Sequence, residues 1–161
     1  MGRRVAALAR RLGHRGWFAA VGRRLWRVDR LVQRVSRGRT MLVGRHGMHP
    51  LLLTTRGRRT GRERTVPLIY AEDGGGYLVV GSNWGRSDHP AWSGNLLACP
   101  RARVTVGGRV VDVRATLLTG AERARAWEVM AEQWPAYDTY ATRSGRGIRV
   151  FRLTPDPPAA P

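Results

Sequence analysis

LLLTTRGRRTGRERTVPL, residues Leu51 to Leu68, sets five arginines and two glycines between two apolar runs. Leucine and β-branched residues on either side of a glycine-bearing turn predict two antiparallel strands joined as a hairpin. Gly57 and Gly61 flank Arg58, Arg59 and Thr60, so the backbone can turn tightly and aim successive N–H groups at one point, an anion nest. Arginine forks would add bidentate, charge-assisted bonds to phosphate or carboxylate oxygens, and the Thr60 hydroxyl would add one more donor. A solvated turn in an arginine-rich chain is the plainer reading of the same residues.

Outward from this hairpin the pattern repeats. PLLLTT, TVPLIYA, GYLVVGS, RVTVG, RVVDVRATLL and IRVFRL are short apolar runs bounded by turn residues, which predicts about six antiparallel strands. Asp73–Gly76 (DGGG) and Gly107–Gly108 lie between adjacent runs at hairpin distance. A short helical piece, PAWSGNLLA, and a longer one from Ala121 to Gln133 interrupt the strands, with Thr119 as cap of the longer helix and Glu122 as its capping-box partner. The fold expected is mainly β with helices, a small barrel over residues 41–154. TPDPPAAP at the end of the chain predicts a disordered tail over 155–161.

Residues 1–40 differ in character. They hold twelve arginines against one acid, Asp29, and so carry +11 of the net charge of +18. Trp17, Val21, Leu25, Val28, Leu31, Val32 and Val35 recur at steps of three and four, while Arg23, Arg27, Arg30 and Arg34 share another face, which predicts a basic amphipathic helix. Such a helix suits an anionic membrane surface, and it equally suits packing of its apolar stripe on its own domain. All 29 basic residues are arginine. The absence of lysine removes Schiff-base chemistry, the P-loop and the S-x-x-K nucleophile. One cysteine, Cys99, rules out an intramolecular disulfide framework and favours a reducing, cytoplasmic setting. His14, His46, His49 and His89 show no metal-ligand spacing. The charge and six tryptophans would also serve a single-stranded nucleic acid, although no nucleic-acid motif is present.

Three separated stretches, TTRGRRTGRERTVPL, DGGGYLVVGSNWGRSDHPAWSGNLLACPRARV and AERARAWEVMAEQWPAYDTYATRSGRGIRVFRL, resemble in order and spacing the deazaflavin-dependent nitroreductase family, which uses coenzyme F420. The likeness runs over about residues 35 to 153. It implies a split β-barrel related to FMN-binding proteins, with hydride transfer from the reduced deazaflavin to a quinone, nitroaromatic or activated alkene. FMN is a substitute ligand that the related fold could hold. Membrane association through the N-terminal segment, on the inner face of the plasma membrane, is a further implication.

Carried onto this chain, the resemblance places the phosphate and glutamate tail of the coenzyme on Arg58, Arg59 and Thr60, with Arg64 and Pro67 on the strand leaving the turn and Pro67 lining the deazaflavin. Gly81, Ser82 and Asn83 would present backbone donors to the ring edge, and Trp92 would stand beside the ring. Tyr137 and Tyr140 would face the substrate, with Tyr137, expected near a loop after Pro135, orienting the acceptor or delivering a proton. Asn83–Trp84 stands where many relatives have a glycine pair, and Ser93–Gly94 where they have a bulky residue. A bulky Trp84, a hollow at Ser93–Gly94 and an added wall at Trp134 would therefore reshape the acceptor pocket. A non-catalytic lipid or fatty-acid binder on the same barrel is the alternative; retention of Arg58, Arg59, Thr60 and Tyr137 favours the reductase. Oligomeric state is open.

Overall fold

The computed structural model describes residues 50–157. The expected N-terminal amphipathic helix, residues 41–49 and residues 158–161 lie outside the described residues. β1 (Pro50–Arg56) and β2 (Glu63–Asp73) form the expected hairpin, with Leu51 opposite Leu68, Leu53 opposite Val66 and Thr55 opposite Arg64. β3 (Gly76–Val80), β4 (Arg101–Val106), β5 (Arg109–Leu117) and β6 (Val150–Pro155) complete a closed antiparallel barrel in the order β1-β2-β3-β6-β5-β4. Helices α1 (Ala91–Ala98), α2 (Gly120–Gln133) and α3 (Ala136–Ser144) attach to it. Gly74–Gly75 and Gly107–Gly108 turn two of the hairpins with φ of 55° and 82°, and 56° and 84°. Positive φ at both central residues matches the right-handed twist of the flanking strands, and glycine adopts it without steric cost.

Period-two burial sorts the strands into an inner and an outer face. Leu51, Leu53, Tyr70, Val79, Val104, Val113, Phe151 and Leu153 fill the barrel, and Trp92 and Leu96 of α1, one helical turn apart, plug it. On the outer face, Ala71, Leu78, Val80 and Val150 meet Met130, Trp134, Tyr137 and Tyr140 from the α2–α3 region. Each sheet face thus buries its apolar residues against a different partner, which is what a two-layer domain requires.

Three local expectations are corrected. Thr119 does precede α2, yet its side chain makes no cap hydrogen bond, and Glu122, the expected second half of the box, pairs with Arg152 Nη1 at 3.2 Å. Pro155 belongs to β6, and Asp156 N–H donates to Asp112 O at 2.9 Å, so order extends beyond the expected boundary at 154. Tyr137 does stand directly after the Trp134–Pro135 connection, but it belongs to the first turn of a helix, α3, that was not expected.

The pairing of β2 positions the site. Residues 63–69 pair with β1 alone, and β3 joins only along Tyr70–Asp73. That leaves Glu63–Ile69 with one edge unpaired, on the side from which β3 departs. Pro67 stands in this segment, where a missing N–H need cost no ladder bond.

Candidate active site

Val79 pairs with Tyr70, so the chain leaving β3 emerges beside the open edge of β2. It makes a 3-10 turn at Asn83–Gly85 and then enters α1. The arginine hairpin rises at one end of this edge and the 81–89 turn at the other. Backbone polar groups of an unpaired strand edge can accept a planar heteroaromatic, and arginines at its end can accept an anionic tail.

The hairpin is not an anion nest. Gly57 N–H donates to Arg62 O at 2.8 Å, Thr60 and Gly61 N–H to Gly57 O at 3.2 and 2.7 Å, and Arg62 N–H to Thr60 Oγ1 at 3.4 Å. Arg58 N–H donates to Asn95 Oδ1 at 3.2 Å. The turn closes on its own carbonyls, leaving anion recognition to side chains. Arg58 also departs from expectation. Its Nη1 donates to Ala91 O at 3.1 Å and to Asn95 Oδ1 at 3.3 Å, which docks the hairpin onto α1. Asn95, 4% exposed, in turn donates from Nδ2 to Thr55 Oγ1 inside the barrel mouth at 3.1 Å. The hollow expected at Ser93–Gly94 is filled by this guanidinium: a Cβ on Gly94 would lie 2.9 Å from Arg58 Nη1 and 3.0 Å from Cζ. Arg59, Thr60, Arg62 and Arg64 are exposed.

Arg64 pairs with Thr55, so it shares the inner face, whereas Pro67, opposite Leu52, is on the outer one. The two do not converge. Trp92, 6% exposed, packs on Phe151 with ring centroids 5.8 Å apart and plugs the barrel. Trp134 is likewise part of the buried α2–α3 layer.

After β3, Gly81 N–H donates to Arg149 O at 2.8 Å, so Gly81 offers no free donor. Asn83 and Trp84 have φ of 47° and 57°. They are the two described non-glycine residues with positive φ, and they occupy the positions where the family resemblance expects a glycine pair. A left-handed backbone costs on the order of 1–3 kcal/mol at a non-glycine residue, and such strain concentrates at functional sites. Gly85 follows with φ of 72°, and a Cβ there would meet Arg143 Nε at 2.8 Å.

An aromatic row leads from the turn into the helical layer. Trp84 and Tyr140 have centroids 6.3 Å apart, Tyr140 and Tyr137 6.3 Å, and Tyr137 and Trp127 6.1 Å. Tyr137 and Tyr140 are 5% and 1% exposed. Burial, reinforced by Tyr140, pushes the Tyr137 phenol far above its ordinary value, so it keeps its proton at any working pH and can act as a hydrogen-bond donor. Arg143, Arg146, His89 and Asn95 had no assigned role in the sequence; Gly145 and Gly147 around Arg146, and a buried asparagine on an apolar helix face, were the available signals.

A family model for F420H(2)-dependent quinone reductases matches residues 25–155. An F420H(2)-dependent quinone reductase of Mycobacterium tuberculosis is 36% identical over 140 residues, covering 83% of this chain and 92% of the relative. Among solved structures, an F420-H2 dependent reductase, FDR-A, superposes with a TM-score of 0.60 at 38% identity over 65% of this chain and 92% of its own. A domain-swapped dimer superposes with a TM-score of 0.62 at 35% identity, over 78% of this chain and 96% of its own.

Proposed function

The chain belongs to the F420H(2)-dependent quinone reductase family, and from that premise we propose that its substrate and coenzyme meet along the open edge of β2, between the arginine hairpin and the strained 83–85 turn. The protein is an F420H2-dependent oxidoreductase of quinone-type acceptors, with F420 as its coenzyme. Bound reduced F420 supplies a hydride in a two-electron step. The protein's own residues bind, orient and exclude water.

The observation that carries this reading is the unpaired Glu63–Ile69 segment, flanked by exposed arginines at one end and a costly left-handed turn at the other. These residues fit a flat ring with a long anionic tail. Arg59 and Arg62 hold the tail, aided by the Thr60 hydroxyl. Arg58 holds the hairpin against α1. Ser82, Asn83 and Pro67 would line the ring of the bound coenzyme, and Trp84 would bound the acceptor. Tyr137 donates a hydrogen bond to the acceptor oxygen where charge builds, supported by Tyr140. Among the described residues no helix is long and apolar enough to cross a membrane. The amphipathic spacing and +11 charge of residues 1–40 support a peripheral contact with anionic lipid, which vesicle sedimentation with and without that segment would test.

The decisive experiment is titration of the protein with F420 and with a deazaflavin lacking the phosphate and glutamate tail, followed by fluorescence quenching. The tailed compound should bind at least tenfold tighter, and its advantage should shrink as salt rises. Equal affinity for both would remove the assigned role of the hairpin.

A further inference from the structure

Asn83, Trp84 and Gly85 form three successive left-handed residues, a run tolerated at asparagine and glycine as single residues but strained at the bulky Trp84. Their restraint comes from the segment between α3 and β6. Arg146 directs all three guanidinium nitrogens at this turn: Nη2 donates to Gly81 O and Ser82 O, each at 3.1 Å, Nε to Arg86 O at 3.1 Å, and Nη1 to His89 Nδ1 at 2.9 Å. Arg143 adds Nη2 to Trp84 O at 2.8 Å. Asn83 Nδ2 ties the turn to Asp88 O at 3.0 Å and Oδ2 at 3.1 Å.

The acceptors of Arg146 are three carbonyls and one imidazole, so its planar fork is matched to a shape and not to a carboxylate. A guanidinium can only donate, so the contact with His89 requires the Nδ1 lone pair and a neutral ring with its proton on Nε2.

We propose that Arg146 is the positioning residue of the coenzyme and acceptor loop: it holds Gly81–Arg86 in its strained form, with neutral His89 as its fourth acceptor. This rests on the assignment of Ser82–Trp84 to the site. A proton on His89 removes the acceptor and sets a second cation against Arg146 and Arg149. Asp88, the anion beside it, is already engaged by Arg86 Nε at 2.9 Å and by Asn83. Burial, then the charges of Arg146 and Arg149, hold the His89 pKa below its ordinary value, with Asp88 opposing, which keeps the accepting form in place at neutral pH.

The test compares Arg146→Lys, Arg146→Ala and His89→Asn with the parent protein. Amide hydrogen exchange at Gly85 and Arg86, whose N–H groups donate to Ser82 O and Asn83 O, is followed without coenzyme, and F420 affinity by fluorescence quenching. Arg146→Lys keeps the charge and loses the fork, so exchange should speed up and affinity fall, each about tenfold. Millimolar guanidinium should restore much of the affinity of Arg146→Ala. His89→Asn keeps an acceptor near the Nδ1 position that does not titrate; affinity at neutral pH should persist and its decline toward pH 5 should flatten. Unchanged exchange in both arginine variants, or a pH profile unaltered by His89→Asn, would overturn the proposal. Faster exchange with unchanged F420 affinity would overturn the positioning role. Faster exchange in the arginine variants, together with a parent protein that binds no F420, would defeat the functional reading on which the role depends.

Discussion

Arg58 and Arg59 are neighbours in the sequence with separate work. Both are exposed, but Arg58 donates to α1 at two acceptors through its guanidinium. Arg59→Ala should weaken F420 binding about tenfold, since a bond to a charged group contributes about 1.5–3 kcal/mol, and leave the melting temperature unchanged. Arg58→Ala should lower stability by about 1–2 kcal/mol and weaken binding only through a looser hairpin, so a thermal melt beside the titration separates the two. Tyr137→Phe keeps the ring and removes the donor; turnover of a quinone in single-turnover decay of reduced F420 should fall on the order of 10²-fold, with coenzyme affinity kept. Because burial raises the Tyr137 pKa, the parent rate should show no loss as pH climbs through the ordinary tyrosine range. His89 has the opposite dependence. Its folded pKa is depressed, so the unfolded chain binds the proton more readily and stability, full above about pH 6.5, declines as pH falls below that value. Melts of the parent and His89→Asn between pH 8 and 5 should diverge on the acid side. Residue types at the site were readable in sequence, but partners were not: nothing in the spacing of Arg58 and Asn95, or of His89 and Arg146, says that they meet, because each pair is joined only by tertiary packing.

At the scale of elements, strands were the more legible part. Period-two runs and the paired glycines at 74–75 and 107–108 carry enough local information to define hairpins. Helix α3 was less so, although Pro135 stands at its N-cap, Asp138 in its first turn, Arg143 in its last and Gly145, at φ of 62°, ends it; its nine residues are too few to show a clear helical period. The capping box at Thr119 was legible in the pattern but is not formed: the Thr119 side chain makes no cap bond, and the Glu122 carboxylate is engaged by Arg152, a partner from a distant strand. Gly76 tests how tightly the elements are joined. A Cβ there would stand 2.7 Å from Leu153 O of the neighbouring strand, a rigid backbone atom. Gly76→Ala should therefore destabilise the protein by about 1–3 kcal/mol, measured by urea unfolding, and should leave F420 affinity of the folded fraction unchanged because the β3–β6 seam at that point is remote from the open edge of β2.

For the whole molecule, barrel closure depends on β6, which lies between β3 and β5 although it follows five strands and all three described helices in the chain. Arg152 on that strand reaches Asp73 at 2.7 Å as well as Glu122, so the same segment ties the β2–β3 hairpin to α2. Arg146 and Arg149, just before it, brace the site. Without β6, the described strands form one open sheet, β3-β2-β1-β4-β5, whose outer strands β3 and β5 each have an unpaired edge. Such edges invite pairing with other chains. A chain made only as far as residue 149 would therefore present two pairing edges among its described strands, and the segment that closes the barrel also carries the Arg149 carbonyl that accepts from Gly81 N–H.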